Sequence, residues 1–205
     1  MEQFPNPTSI FHFTHISNLS NIVKVGAILC KNRVNTQYTS AANAEIQNQR
    51  NTYQVPVPPY GCIHDYVPFY FNSLSPMLYT IKQGNIQGVT MEKMVVFQTT
   101  VQIVQQNTKL FVFTDGHSIM GLTDYYNDVR ELSKLDWQII NAKYWKNFPD
   151  GKRIRQSEFM IHDEFNLNLV QSIGVHNLDM VKQVLQVIGQ KQYTINVAVR
   201  PDWFF

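Results

Sequence analysis

Glu158 stands in the run Arg153-Ile154-Arg155-Gln156-Ser157-Glu158-Phe159-Met160-Ile161, between a basic stretch and an apolar, strand-like segment. A carboxylate bordering such a segment is drawn away from water, and without partners its burial is costly. Two roles answer that cost, an ion pair with Arg153 or Arg155 and a place in catalysis. A second cluster is His12-Phe13-Thr14-His15. Strand geometry sends His12 and Thr14 to one face and Phe13 and His15 to the other, so one face is free to bind while the other packs. For His15 the simpler reading is a strand-end imidazole satisfied by backbone groups. A zinc site built from these histidines and a cysteine needs converging ligands, and the spacing gives no sign of them.

The charge pattern adds a third cluster. The chain carries a net +2, but Lys143, Lys146, Lys152, Arg153 and Arg155 face only Asp150 over residues 143–155, a local balance of +4 that leaves the remainder slightly acidic. Tyr144, Trp145 and Phe148 interleave with these cations. Cations that attract phosphate, mixed with rings that stack on bases, suit a single-stranded nucleic acid. The alternative is a solvated helix end and turn around Pro149-Asp150-Gly151.

A scaffold has to hold these groups. Residues 11–14 read as a strand, followed by Ser17 as an N-cap and a helix with Leu19, Ile22 and Val23 on one face, closed by Gly26. Residues 35–54 are polar, with Ala41, Ala42 and Ala44 pointing to a mobile helix or loop that packs little and can cover a ligand; prolines then enforce extended backbone over 56–59. Residues 64–71, 94–104 and 110–113 read as strands, the last ending at the Asp115-Gly116 turn. From Thr123 the pattern turns helical, with Tyr125, Val129 and Leu132 on one stripe and Trp137, Ile140 and Tyr144 on a second helix. Strands follow at 158–161 and 173–175, then a helix over 178–188 ended by Gly189, and a closing strand over 193–199.

Strands and helices without regular βαβ alternation predict an α+β fold, and 205 residues suit one domain, 1–205. No apolar run approaches the roughly 18 residues that span a bilayer, and the N-terminus lacks the basic start and apolar stretch of a secretory signal, so a cytoplasmic protein without a membrane partner is expected. Cys30 and Cys62 are too few for a disulfide framework and are expected as reduced thiols.

Several blocks occur in a telling order: Ile10-Phe11-His12-Phe13-Thr14-His15-Ile16-Ser17-Asn18-Leu19, then Arg50, then His64-Asp65-Tyr66-Val67-Pro68-Phe69-Tyr70-Phe71-Asn72 with Ser75-Pro76-Met77-Leu78-Tyr79. Phe113-Thr114-Asp115-Gly116-His117, Leu135-Asp136-Trp137 and the Glu158 run follow. This succession resembles the DarT family of DNA ADP-ribosyltransferase toxins. The resemblance implies an ADP-ribosyltransferase-like split β-sheet core with surrounding helices and an NAD cleft, with NAD as co-substrate and no metal. It implies that His12, Phe13 and Thr14 hold the nicotinamide end, that Asn21 and Leu29 line the pocket, and that Tyr70 and Met77 wall its nicotinamide side. Arg50 and Glu158 would be catalytic, and residues 35–50 would cover the dinucleotide.

The implied reaction moves ADP-ribose from NAD to a base, thymine above all, in single-stranded DNA, releasing nicotinamide. Positive charge spreads over the ribose in the transition state, where a fixed carboxylate at Glu158 helps. A guanidinium is a poor base at neutral pH, so Arg50 is read as stabilising the developing thymine anion or contacting pyrophosphate. His117 and the basic residues Lys143, Lys146, Lys152, Arg153 and Arg155 would meet the DNA. The resemblance further implies a bacterial cytoplasm and a cognate antitoxin of the DarG type, whose macrodomain reverses the modification. Two alternatives stay open here: NAD cleavage with RNA, protein, guanine or water as acceptor, and a non-catalytic nucleic-acid-binding module.

Overall fold

The structure is a computed structural model describing residues 4–108, 110–189 and 195–205. In chain order its elements are β1 (Ser9–His15), α1 (Leu19–Val25), β2 (Ala27–Leu29), α2 (Ala44–Thr52), β3 (Tyr66–Tyr70), α3 (Pro76–Lys82), β4 (Met94–Thr100), α4 (Val101–Asn107), β5 (Phe111–Thr114), β6 (Tyr125–Tyr126), α5 (Trp137–Asn141), α6 (Gly151–Ile154), β7 (Glu158–His162), β8 (Glu164–Asn166), β9 (Ser172–Val175), α7 (Leu178–Ile188) and β10 (Asn196–Val199). Eight strands form one sheet in the order β10-β9-β4-β1-β3-β7-β5-β6, and β2 and β8 form a separate pair. Among the described residues only β9 and β10 pair in parallel. This is the α+β architecture that the segregated pattern predicts.

The central strands are buried because both sheet faces are covered. Along β4 the side chains alternate between two apolar clusters: Val95 and Phe97 join Ile10, Val67, Phe69, Phe159 and Ile173, while Met94 and Val96 join Phe13, Tyr70, Leu78, Ile81 and Trp203. β1 keeps register with β4 along its whole length, from Ser9 opposite Thr100 to His15 opposite Met94. Against β3 it pairs only at Phe11 opposite Tyr70. Pro68 contributes to that parting, since it has no N–H for a ladder, and its carbonyl takes a hydrogen bond from the His12 ring at 2.8 Å instead. The sheet therefore splits at the strand that carries His12 and Thr14.

Several local expectations are corrected. The β-branched run 94–104 is not one strand: at Thr100 the hydroxyl accepts the Ile103 N–H at 3.3 Å and caps α4, so Val101 and Val104 pack as helical residues. Residues 123–132 do not form a regular helix. Tyr125 and Tyr126 pair with β5 as an edge strand, and residues 129–134 make a 3-10 helix capped by Asp128. α5 ends at Asn141, before Tyr144. Ser17 is not the cap of α1; it lies in a 3-10 turn capped by His15, whose Nδ1 accepts the Ser17 N–H at 3.3 Å. Gly26 closes α1 as expected, at φ 81°. Of the closing strand, residues 193 and 194 lie outside the described residues.

β9 must pass under the buried Trp203 indole, and a Cβ at Gly174 would lie 2.2 Å from that ring. Gly174→Ala is expected to destabilise the fold by about 1–3 kcal/mol, read as a lower urea midpoint; an unchanged midpoint would contradict this packing.

Candidate active site

Glu158 opens β7, between β3 and β5, directly opposite Tyr70. No part of it is exposed. Its N–H donates to Thr114 Oγ1 at 3.1 Å, and the Thr114 hydroxyl donates to the Gly116 carbonyl at 2.7 Å, which ties the start of β7 to the turn after β5. Its carboxylate takes Nη1 of Arg50 on both oxygens, at 2.8 and 3.0 Å, and the same Nη1 donates to Ser118 Oγ at 3.0 Å. The ion pair is therefore with Arg50, not with Arg153 or Arg155.

Arg50 is brought there by α2, a polar helix begun by Asn43, whose side chain accepts the Glu45 and Ile46 N–H groups. Such a helix has little apolar surface to dock it, and polar pegs do the work. The buried His64 ring sits between Gln47 Oε1 at 3.2 Å and Asn51 Oδ1 at 3.3 Å, on either side of Arg50, and Lys31 Nζ donates to Gln47 at 3.2 Å. Burial opposes the charge of Arg50, but the Glu158 carboxylate outweighs it and pushes the guanidinium pKa above its ordinary value. Burial, reinforced by the same carboxylate, raises the Tyr70 and Tyr125 phenols, which stay protonated as donors. Tyr70 donates to Met77 Sδ at 3.7 Å and Tyr125 to the Ser118 carbonyl at 2.5 Å.

The pair forms the floor of a cleft of about 990 Å³, at the upper end of ordinary ligand sites. His12, Phe13, Thr14, Asn21, Leu29, Tyr70 and Met77 all line it, together with Arg50 and Glu158. The His12 ring lies between Phe69 and Phe97, at 5.5 and 6.3 Å between centroids, and burial lowers its pKa to about 4. Its bond to the Pro68 carbonyl fixes the proton on Nδ1, so neutral His12 presents Nε2 as an acceptor. Thr14 Oγ1 accepts Asn18 Nδ2 at 3.1 Å. Asn18 also grips both polar groups of the Thr39 backbone, donating to its carbonyl at 2.9 Å and accepting its N–H at 2.8 Å. That anchor holds the polar segment before α2 beside the cleft.

The candidate DNA contacts separate into three groups. His117, Lys152 and Arg153 line the cleft; burial lowers the His117 pKa, and Arg153 pairs through Nε with Asp150 at 2.5 Å and through Nη1 with Asp115 at 3.3 Å. Lys143 and Lys146 are exposed and outside the cleft, with their ammonium groups 5.4 Å from the Tyr144 ring and 5.2 Å from the Tyr79 ring. Arg155 corrects the expectation. It is 3% exposed, and its guanidinium donates to the carbonyls of Leu74, Ile140 and Ala142 and to Asn72 Oδ1, which makes it an internal brace rather than a surface cation. Sequence reasoning missed Asn18, His64, Ser118 and Tyr125. Among the described residues no group of three or more His, Cys, Asp or Glu could hold a metal, and no helix is long and apolar enough to cross a membrane.

Comparison with known proteins fits this geometry. The family model described as ssDNA thymidine ADP-ribosyltransferase, DarT, matches residues 11–205. The chain belongs to the DarT family. A DNA ADP-ribosyl transferase of Thermus sp. (strain 2.9) is 37% identical, with 98% of each chain covered. The structure of Thermus sp. 2.9 DarT in complex with ADP-ribosylated ssDNA superposes with a TM-score of 0.95 at 36% identity, covering 98% of both chains. That of the same DarT with NAD+ gives 0.91 at 34% identity, covering 98% of this chain and all of that one. Family membership makes this chain an enzyme, a DNA ADP-ribosyltransferase with NAD+ as its substrate.

Burial also sets a pH dependence. His12 and His64 are both held near a pKa of about 4, against 6.5 for a free imidazole, burial being the largest cause in each case. The unfolded chain takes up protons below about pH 6.5 that the folded chain refuses until about pH 4, so stability is full above that window and falls as pH drops through it. Urea unfolding at pH 7.5, 6 and 4.5 should show this decline, with a shallower slope for His64→Gln. A protein that gains stability toward pH 4.5 would contradict the assignment.

Proposed function

We propose that Glu158 and Arg50 are the catalytic pair for transfer of ADP-ribose from NAD+ to a thymine base of single-stranded DNA. In this reaction the bond between the ribose anomeric carbon and nicotinamide breaks, and its electron pair leaves with nicotinamide. Thymine N3 forms the new bond to that carbon, and the N3 proton passes to solvent. The observation that carries the reading is a fully buried carboxylate fixed on a strand at the floor of the cleft, paired with a guanidinium from a separate helix. Preorganised charge in a water-poor site supplies much of an enzyme's rate enhancement. Glu158 stabilises the positive charge on the ribose.

Arg50 is too basic to take a proton at neutral pH, and Glu158 makes it more so. Its Nη1 carries the contacts to Glu158 and Ser118, while Nη2 and Nε make no hydrogen bond to a described residue. Those N–H groups are the donors that meet the thymine anion. Neutral His12, Phe13 and Thr14 hold the nicotinamide end beside Tyr70 and Met77, with Asn21 and Leu29 farther along the wall. His117, Lys152 and Arg153 receive the acceptor strand at the cleft, and Lys143 and Lys146 track its backbone outside it. One eight-stranded sheet joining both halves supports a single domain. Family resemblance supports a bacterial cytoplasmic setting and a DarG-type macrodomain antitoxin.

The test is Glu158→Gln, with labelled NAD+ and matched thymine-containing ssDNA, RNA and protein acceptors. Transfer to ssDNA should fall about 100-fold or more, with NAD+ binding kept within a few fold. A Gln variant at the wild-type rate, or label appearing on RNA or protein but not on ssDNA, would overturn the proposal.

A further inference from the structure

The connection between β5 and β6 is braced from three sides. Thr123 Oγ1 donates to the His117 carbonyl at 2.9 Å and accepts Arg153 Nη1 at 3.2 Å. The Asp124 N–H donates to Asp115 Oδ1 at 2.9 Å, and Arg153 reaches Asp115 as well. Inside this brace Ser118 has no exposed surface. Its carbonyl is held by the Tyr125 hydroxyl at 2.5 Å, and its Oγ takes Arg50 Nη1 at 3.0 Å. Ser118 also follows His117 directly, and His117, Ile119 and Met120 line the cleft. One small residue thus joins the acceptor side of the cleft to the guanidinium.

We propose that Ser118 is a positioning residue for the acceptor half of the reaction: with Tyr125 behind it, its hydroxyl fixes the angle of Arg50, so that the remaining N–H groups of the guanidinium face the thymine anion. This rests on the role of Arg50 given above. Glu158 alone cannot fix that angle, because both of its oxygens bind the same nitrogen and the plane can pivot about Nη1. A second partner on Nη1, from another direction, removes the pivot. Among the described residues, Ser118 makes no hydrogen bond to the ribose-stabilising carboxylate or to the residues assigned to the nicotinamide end. Its influence therefore falls on attack by the base more than on NAD+ binding.

Ser118→Ala and Tyr125→Phe separate this from a general structural role. The measurements are the transfer rate to thymine-containing ssDNA from pH 6.5 to 9.5, the KM for NAD+, and NAD+ hydrolysis without DNA. Ser118→Ala should lower transfer about 10- to 100-fold near pH 7, the scale of one charge-assisted hydrogen bond. The KM should stay within about threefold, and hydrolysis should fall much less than transfer. The deficit should shrink as pH rises, because the base then loses its N3 proton with less help. Tyr125→Phe, which removes a single hydroxyl, should show a smaller loss with the same pH trend. Transfer at the wild-type rate in both variants would overturn the inference, as would a deficit constant across pH and matched by a rise in KM. Wild-type protein that makes no thymine adduct would defeat the proposed function itself, and the inference with it.

Discussion

A carboxylate with no exposed surface and a guanidinium with almost none meet at the floor of the cleft. Bringing two charges out of water is expensive, and a buried ion pair rarely stabilises a fold more than well-packed apolar residues would. The pair is accordingly better explained by the chemistry proposed for it than by stability. The surrounding structure is arranged to tolerate it. Glu158 sits on an interior strand, where β3 and β7 hold its backbone in register. Arg50 arrives on a helix docked by polar pegs at its flanks and by the acid itself. Removing either partner leaves the other buried and uncompensated, so geometry and charge state are set together.

The split between β1 and β3 is the second constraint. A sheet paired along its full length would close the space where the cleft lies. One proline and one imidazole contribute to opening it: Pro68 offers no N–H, and His12 takes its carbonyl. The same hydrogen bond fixes the His12 tautomer, and burial keeps the ring neutral. The hydrogen bond at the parting of the sheet is thus also the one that turns the His12 acceptor nitrogen toward the role proposed for it. The 39th residue then anchors the cleft's outer wall through Asn18, whose amide matches both polar groups of a peptide.

That Glu158, Arg50 and the His12 strand meet in one cleft was legible because each stands in a local pattern or an ordered block. Helix α7 and strands β7 and β9 were legible because their apolar spacing is uninterrupted. Arg155 was not, since an arginine in a basic run looks the same whether it faces water or braces carbonyls contributed by residues 74, 140 and 142. The run from Met94 misled because Val101 and Val104 favour strands in composition, while the Thr100 cap and the packing of α4 decided otherwise. Tyr125 imitated a helical stripe although it belongs to a two-residue edge strand. Ser118, His64 and Asn18 act through contacts across 13 to 68 positions of chain, which no periodicity records.

The central claim is that Arg50 and Glu158 act as one unit, and a double-mutant cycle tests it most directly. Single-turnover transfer to ssDNA would be measured for Arg50→Gln, Glu158→Gln and the double variant, since residues that work as a unit are strongly non-additive. The account predicts that the double variant is no slower than the worse single variant, within about threefold. Losses that multiply, as for two independent sites, would contradict it.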